Sequence, residues 1–133
     1  MVAQAAANFD PDTAATHARQ LLQVHPDINV VVNDCDPCAV ATHKVLVDLK
    51  KDDTILTIGA GGSRIGAEAI KAGRQFGDTV VLPATEAKAA TLMAIKAARK
   101  QPVGDTTIDV TKDLSPVGTI VDESNVDKYK PEW

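Results

Sequence analysis

The chain has 133 residues, 44% of them hydrophobic and 24% charged, with a formal net charge of −4. That length makes one domain with a real core, and those proportions are typical of a globular protein. Without a basic cluster, phosphate-backbone binding lacks electrostatic support, so nucleic acid is set aside. No apolar run approaches the roughly 20 residues of a membrane-spanning helix. Residues 1–9 lack the basic start and long apolar stretch of a signal peptide. Aromatics make up only 3% of the chain, which suits small helical residues packed closely on a sheet.

Strand and helix patterns alternate along the chain. Residues 2–7 form a weak strand candidate. Asp10 and Pro11 start a helix with Ala14, Ala18, Leu21 and Leu22 on one face, stopped near His25 and Pro26. Residues 28–32 are a short β-branched run, as in an interior strand of a parallel sheet. Asp36 then reads as an N-cap and Pro37 as the first residue of a helix to about Leu49, burying Ala41, Val45 and Leu49. Residues 54–58 read as the next strand. Residues 64–72 read as a short helix closed by Gly73. A strand is expected over 79–82, and a helix from a Thr85 cap to about Lys100 with Ala90, Met93, Ala94 and Ala97 inward. Residues 106–110 and 118–121 alternate like strands with one solvated face, and the tail from Asp122 is polar apart from Val126, Tyr129 and Trp133. Repeated βα units imply an α/β fold: a three-layer αβα parallel sheet of flavodoxin-like order, closed by carboxyl-terminal strands.

The junction Asn33-Asp34-Cys35-Asp36-Pro37-Cys38 joins a buried-looking strand to a helix start, where open α/β sheets place their ligands. It supports a ligand pocket or a dithiol centre. Cys35 and Cys38 at a helix start have the spacing of a redox pair. Asp34 and Asp36 on either side disfavour thiolate, and a local disulfide or two buried thiols explain the pair as well. The loop Gly59-Ala60-Gly61-Gly62 follows a strand and opens a helix, but Arg64 stands where a dinucleotide fingerprint needs its third glycine. Ala67 and Glu68 replace the lysine and hydroxyl residue of a nucleotide-phosphate loop, leaving a tight turn near a ligand as the better reading. His17, His25 and His43 have no metal-ligand spacing, and Glu68 and Glu86 suit solvated helix faces. Nothing in the pattern requires catalysis, a cofactor or a metal.

These pieces together resemble the carboxyl-terminal lobe of a type I periplasmic binding protein, in the ribose- and galactose-binding group of ABC transporter receptors. Leu21-Leu22-Gln23-Val24-His25-Pro26-Asp27 is similar to the helix end and turn before that family's Asn-Asp-Glu motif, occupied here by Asn33-Asp34-Cys35-Asp36. Gly59, Gly62, Gly66, Ala69, Ile70 and Gly73 follow its glycine-rich segment, Thr79-Val80-Val81-Leu82-Pro83 the strand before its last long helix, and residues 117–133 its closing strand and tail. The likeness covers nearly all of residues 1–133 as a single lobe, but less than half of the family's usual length. The amino-terminal lobe and the first βα unit of this lobe have no counterpart.

The resemblance implies noncatalytic capture of a small polar solute, carbohydrate in kind, and delivery to an ABC transporter's membrane component from the periplasm. It implies ligand contacts at Phe9, where the family stacks an aromatic on a sugar ring, and at Asp34, in place of a hydrogen-bonding asparagine. Ala60, Gly61 and Leu82 stand where a second aromatic, an aspartate and a glutamine are usual, so three of the five contacts have lost their polar or stacking group. Phe9 as a core residue and Asp34 as a turn residue are the plain alternatives. The face that a second lobe would cover is expected to favour a homodimer. Rival readings are the ligand-sensing domain of a LacI-type regulator and a thiol-disulfide redox protein using Cys35 and Cys38.

Overall fold

The computed structural model describes residues 1–133. Helix α1 (Pro11–Val24) starts where the Asp10 carboxylate accepts the Thr13 amide at 2.7 Å and Pro11 supplies a preset first residue. It buries Ala14, Ala18 and Leu22. Strand β1 (Val30–Val32) leads into α2 (Asp36–Asp48), which packs against α1, α3 and the sheet. That central place explains why its buried arc, Cys38, Ala39, Thr42, Val45 and Leu46, is wider than the expected stripe of Ala41, Val45 and Leu49. Asp36 is not the N-cap. Cys35 holds that position, its Sγ accepting the Cys38 amide at 3.1 Å, and Asp36 turns inward.

Strand β2 (Leu56–Ala60) begins later than the sequence suggests, because the amides of Thr54 and Ile55 are spent on the turn carbonyl of Lys51. Helix α3 (Arg64–Lys71) is capped by Ser63, and β3 is Gly77–Thr79 rather than 79–82. Helix α4 (Pro83–Ala98) follows, then a π-helical turn at Val110–Leu114, and β4 is Ile120–Asp122. Residues 2–7 and 106–109 form no strand: the first segment has no sheet partner, and Asp109 caps the π-helical turn instead.

The sheet is four-stranded in the order β1-β2-β3-β4. β1, β2 and β3 run parallel and β4 antiparallel to β3, so the α/β class holds with a mixed sheet. Two clusters make the core: Leu22, Val45, Leu46 and Ile55 under α1 and α2, and a second built from Ala67, Ile70, Val80, Leu82, Val121, Val126 and Tyr129. Helices α2 and α3 cover one face of the sheet, and α1 packs on α2. The other is largely bare, with Val30, Val32, Leu56 and Ile120 all exposed. Helix α4 buries none of its residues and packs chiefly on the π-helical turn, so Ala90, Met93, Ala94 and Ala97 do not form an inward stripe. The third layer of the expected αβα sandwich is thus not filled.

Candidate functional site

The carboxyl ends of the parallel strands converge on a loop cluster made from residues 33–38, 59–63 and 78–82. Asn33 continues β1 by donating its amide to the Ile58 carbonyl at 2.8 Å, and its side-chain oxygen accepts the Thr42 hydroxyl at 2.8 Å. The next residue, Asp34, is therefore held at the top of the strand and is exposed. Phe9 comes to the same end of the sheet, its carbonyl oxygen 3.9 Å from Cys35 Sγ. Phe9 is 70% exposed, which removes the core reading. Asn8 and Phe9 both have left-handed backbone, with φ of 51° and 58°. For a bulky side chain that conformation is strained, and strain of this kind clusters where a side chain must be presented in one direction.

Of the other three residues singled out by resemblance, Ala60 is half-buried and Gly61 is buried. Trp133 covers Gly61, its indole Nε1 donating to the Gly61 carbonyl at 3.0 Å. Leu82 is a core residue, 4% exposed among Val80, Val121 and Tyr129, and its side chain does not reach the surface. The surface thus presents Phe9 and Asp34 as a stacking face and a hydrogen-bond acceptor, while the glycine loop lies buried behind them.

Cys35 and Cys38 are joined in a disulfide. Asp34 lies beside both sulfurs, but disulfide sulfurs carry no thiolate charge with which to hold a soft metal ion. Cys38 is fully buried and Cys35 is partly exposed, so exchange would have to start at Cys35, where the neighbouring Asp34 and Asp36 carboxylates disfavour the thiolate. The disulfide instead fixes the first turn of α2 beneath Asp34.

Beneath this surface lies a group that sequence reading missed. Asp36 and Asp78 are each 1% exposed, and their carboxyls are within hydrogen-bonding reach of each other. Asp36 accepts the Ser63 amide at 2.9 Å and Asp78 the Gly62 amide at 3.3 Å, both at the start of α3, where the helix dipole favours negative charge. Burial, then the neighbouring Asp36, pushes Asp78 up to about 7. One oxygen of each carboxyl has no other partner, so a proton held between them satisfies both. The glycines make room for this pair. A Cβ at Gly66 would collide with the Asp78 carboxylate, and one at Gly59 would lie 2.7 Å from Asp36 Oδ1. Gly62, with φ of +59°, sits under the Tyr129 hydroxyl, which donates to its carbonyl at 2.6 Å. Burial and then the nearby Asp78 raise the Tyr129 phenol to about 12, so it stays a donor. The clustered glycines and an acidic residue within a strand were the available signal, but which aspartates they surround depends on the fold.

A cavity of about 810 Å³ lies at the opposite, amino end of the parallel strands, lined by His43, Asp52, Lys71, Arg74 and Phe76 among others. It is on the wrong side of the sheet for the strand-end rule of open α/β folds. A second, of about 610 Å³, runs along β1 and reaches Asp34.

No family model and no curated protein sequence matches the chain. Solved structures do. An ABC transporter periplasmic solute binding protein from Actinobacillus succinogenes 130z, with bound D-allose, superposes with a TM-score of 0.76 at 21% identity, over 92% of this chain and 41% of its own. A solute binding protein from Bacillus halodurans C-125 with bound myo-inositol gives 0.72 at 21% identity, over 91% and 39%. One from Mycobacterium smegmatis with bound glycerol gives 0.67 at 27% identity, over 89% and 38%. These neighbours are binding proteins, not enzymes, and the chain spans about two-fifths of their length. The chain therefore has the α/β fold of the sugar-binding periplasmic proteins of ABC transporters, in the extent of one partial lobe.

Proposed function

We propose that this chain is the solute-binding half of a two-lobed receptor, capturing a sugar or polyol for an ABC transporter in the periplasm without chemical change. The observation that carries this reading is Phe9, a strained and exposed aromatic held beside Asp34 at the carboxyl end of the sheet. An aromatic face stacks on the apolar side of a sugar ring, while a carboxylate accepts hydrogen bonds from its hydroxyls. Solutes of that kind, allose, myo-inositol and glycerol, occupy the structurally similar proteins. Small-molecule sites enclose roughly 70–90% of their ligand, so one open surface binds weakly and a second lobe closing over it supplies the rest.

The test is calorimetric titration with a panel of pyranoses, inositols and glycerol. Saturable binding to at least one member, weakened at least tenfold by Phe9→Ala and by Asp34→Ala without loss of fold, supports the reading. Binding unaffected by both substitutions would sink it. The same surface is proposed to pair two copies as a homodimer. A strictly monomeric species by light scattering at high concentration would count against that pairing.

A further inference from the structure

The cavity along β1 is a slot with defined walls. Residues 1–7 form one side, β1 with its flanks from Ile28 to Asp34 the other, and α1 lies behind with Ala14, Ala18 and Leu21. β1 is an edge strand, paired only with β2. The Leu56 amide donates to the Asn29 carbonyl and the Asn33 amide to the Ile58 carbonyl. Parallel pairing alternates, so residues 29, 31 and 33 face β2 while the amides and carbonyls of Val30 and Val32 point the other way, into the slot. The chain's own residues 1–7 lie across the slot and form no ladder with that edge.

We propose that the slot is an acceptor for one extended strand from another polypeptide, added to the sheet beside β1. Main-chain hydrogen bonds to Val30 and Val32 would give the register, as in other strand-addition complexes. Two features define the occupant. The lining is mostly apolar on the helix side, so the strand's centre must be apolar. Asp27 and Asp34 line the slot near its two ends, and no lysine or arginine does, so basic residues flanking the centre are complementary. A second folded copy approaching edge-on is obstructed by residues 1–7, whereas a single strand enters between the walls.

The probe is a synthetic peptide with a short valine, isoleucine and threonine centre and lysines at both ends. Amide hydrogen exchange is read by NMR. On binding, the Val30 and Val32 amides are expected to exchange at least tenfold more slowly, while Val31, already bonded to β2, changes little. A peptide N-methylated at alternate central amides is expected to bind at least tenfold more weakly. Val32→Pro removes only the slot-facing N–H and leaves the β1–β2 ladder, so the variant is expected to fold yet lose the peptide. Three results overturn the proposal. One is peptide binding without Val30 and Val32 protection, and another is equal binding of the N-methylated peptide. The third is protection already complete in the free protein, showing the edge occupied by residues 1–7 or, if it grows with concentration, by a second copy.

Discussion

The carboxyls of Asp36 and Asp78 meet below the glycine loop, where each accepts a backbone amide from the start of α3. Asp78 is pushed up to about 7, from an ordinary value near 4, by burial and by Asp36. The folded state therefore holds a proton that the unfolded chain releases. This contribution to stability is fully present below about pH 4, declines as pH rises to about 7, and is flat above. Urea unfolding across that range is expected to show the decline. Asp78→Asn keeps an acceptor for the Gly62 amide and turns an amide donor toward Asp36, so the slope should largely vanish. An unchanged slope would remove Asp78 as its source.

Glu132 caps a helix from a distance of 47 residues. The N-cap of α4 is Leu82, which offers no side-chain acceptor, and the Glu132 carboxylate takes the amides of Ala84 and Thr85 and the Thr85 hydroxyl instead. Those bonds hold Glu132 below its usual carboxylate range. Thr85, expected from sequence to be the cap, is thus the capped residue. Glu132→Ala should cost about 1 kcal/mol, the ordinary value of a lost cap. Hydrogen exchange should speed up at the Ala84 and Thr85 amides first, and unchanged exchange there would argue against the cap.

Joining Cys35 to Cys38 closes a very short loop, so its loss should cost no more than about 2 kcal/mol on a chain-entropy argument. The Cys35→Ser/Cys38→Ser protein retains a capping oxygen at the start of α2 and should fold with an unchanged far-ultraviolet spectrum. Wild-type protein should not catalyse insulin reduction, because the Asp34 carboxylate beside Cys35 disfavours the attacking thiolate. Turnover abolished by Cys35→Ser would restore the redox reading.

Leu82 and Phe9 should separate core from surface. Leu82→Ala empties a site in the larger core cluster and should destabilise by about 2–5 kcal/mol in thermal or urea unfolding. Phe9→Ala removes an exposed ring and relaxes a left-handed position only slightly, so stability should move by less than about 0.5 kcal/mol. A large loss for Phe9→Ala would mean that the ring packs in solution.

The alternation of strand and helix was legible because its signals are local. Asp10-Pro11 starts α1 as read, and the β-branched run before Asn33 contains β1. Non-local terms decided the rest. β3 begins at Gly77-Asp78, which carries no β-branched pattern, because its place is set by β2 on one side and β4 on the other. Helix α4 carries many small apolar residues, yet periodicity alone cannot say that no layer lies opposite them. Within the site, the place of Asp34 at the end of β1 was legible, whereas Phe9 follows no strand and its exposure was set by a left-handed turn that the sequence did not signal. The burial of Leu82 and the Asp36–Asp78 pair was not legible either, since both depend on loops that meet only in three dimensions.

The space that Gly66 leaves open also links two positions in their tolerance to change. A methyl group there collides with the Asp78 carboxylate and also lies 2.9 Å from Asp36 Cγ, so Gly66→Ala needs both carboxyls to give way. Loss of Asp78 removes the tighter of these two contacts and leaves the one with Asp36. Substitutions at positions 66 and 78 are therefore non-additive, the change at 66 costing less once residue 78 is smaller.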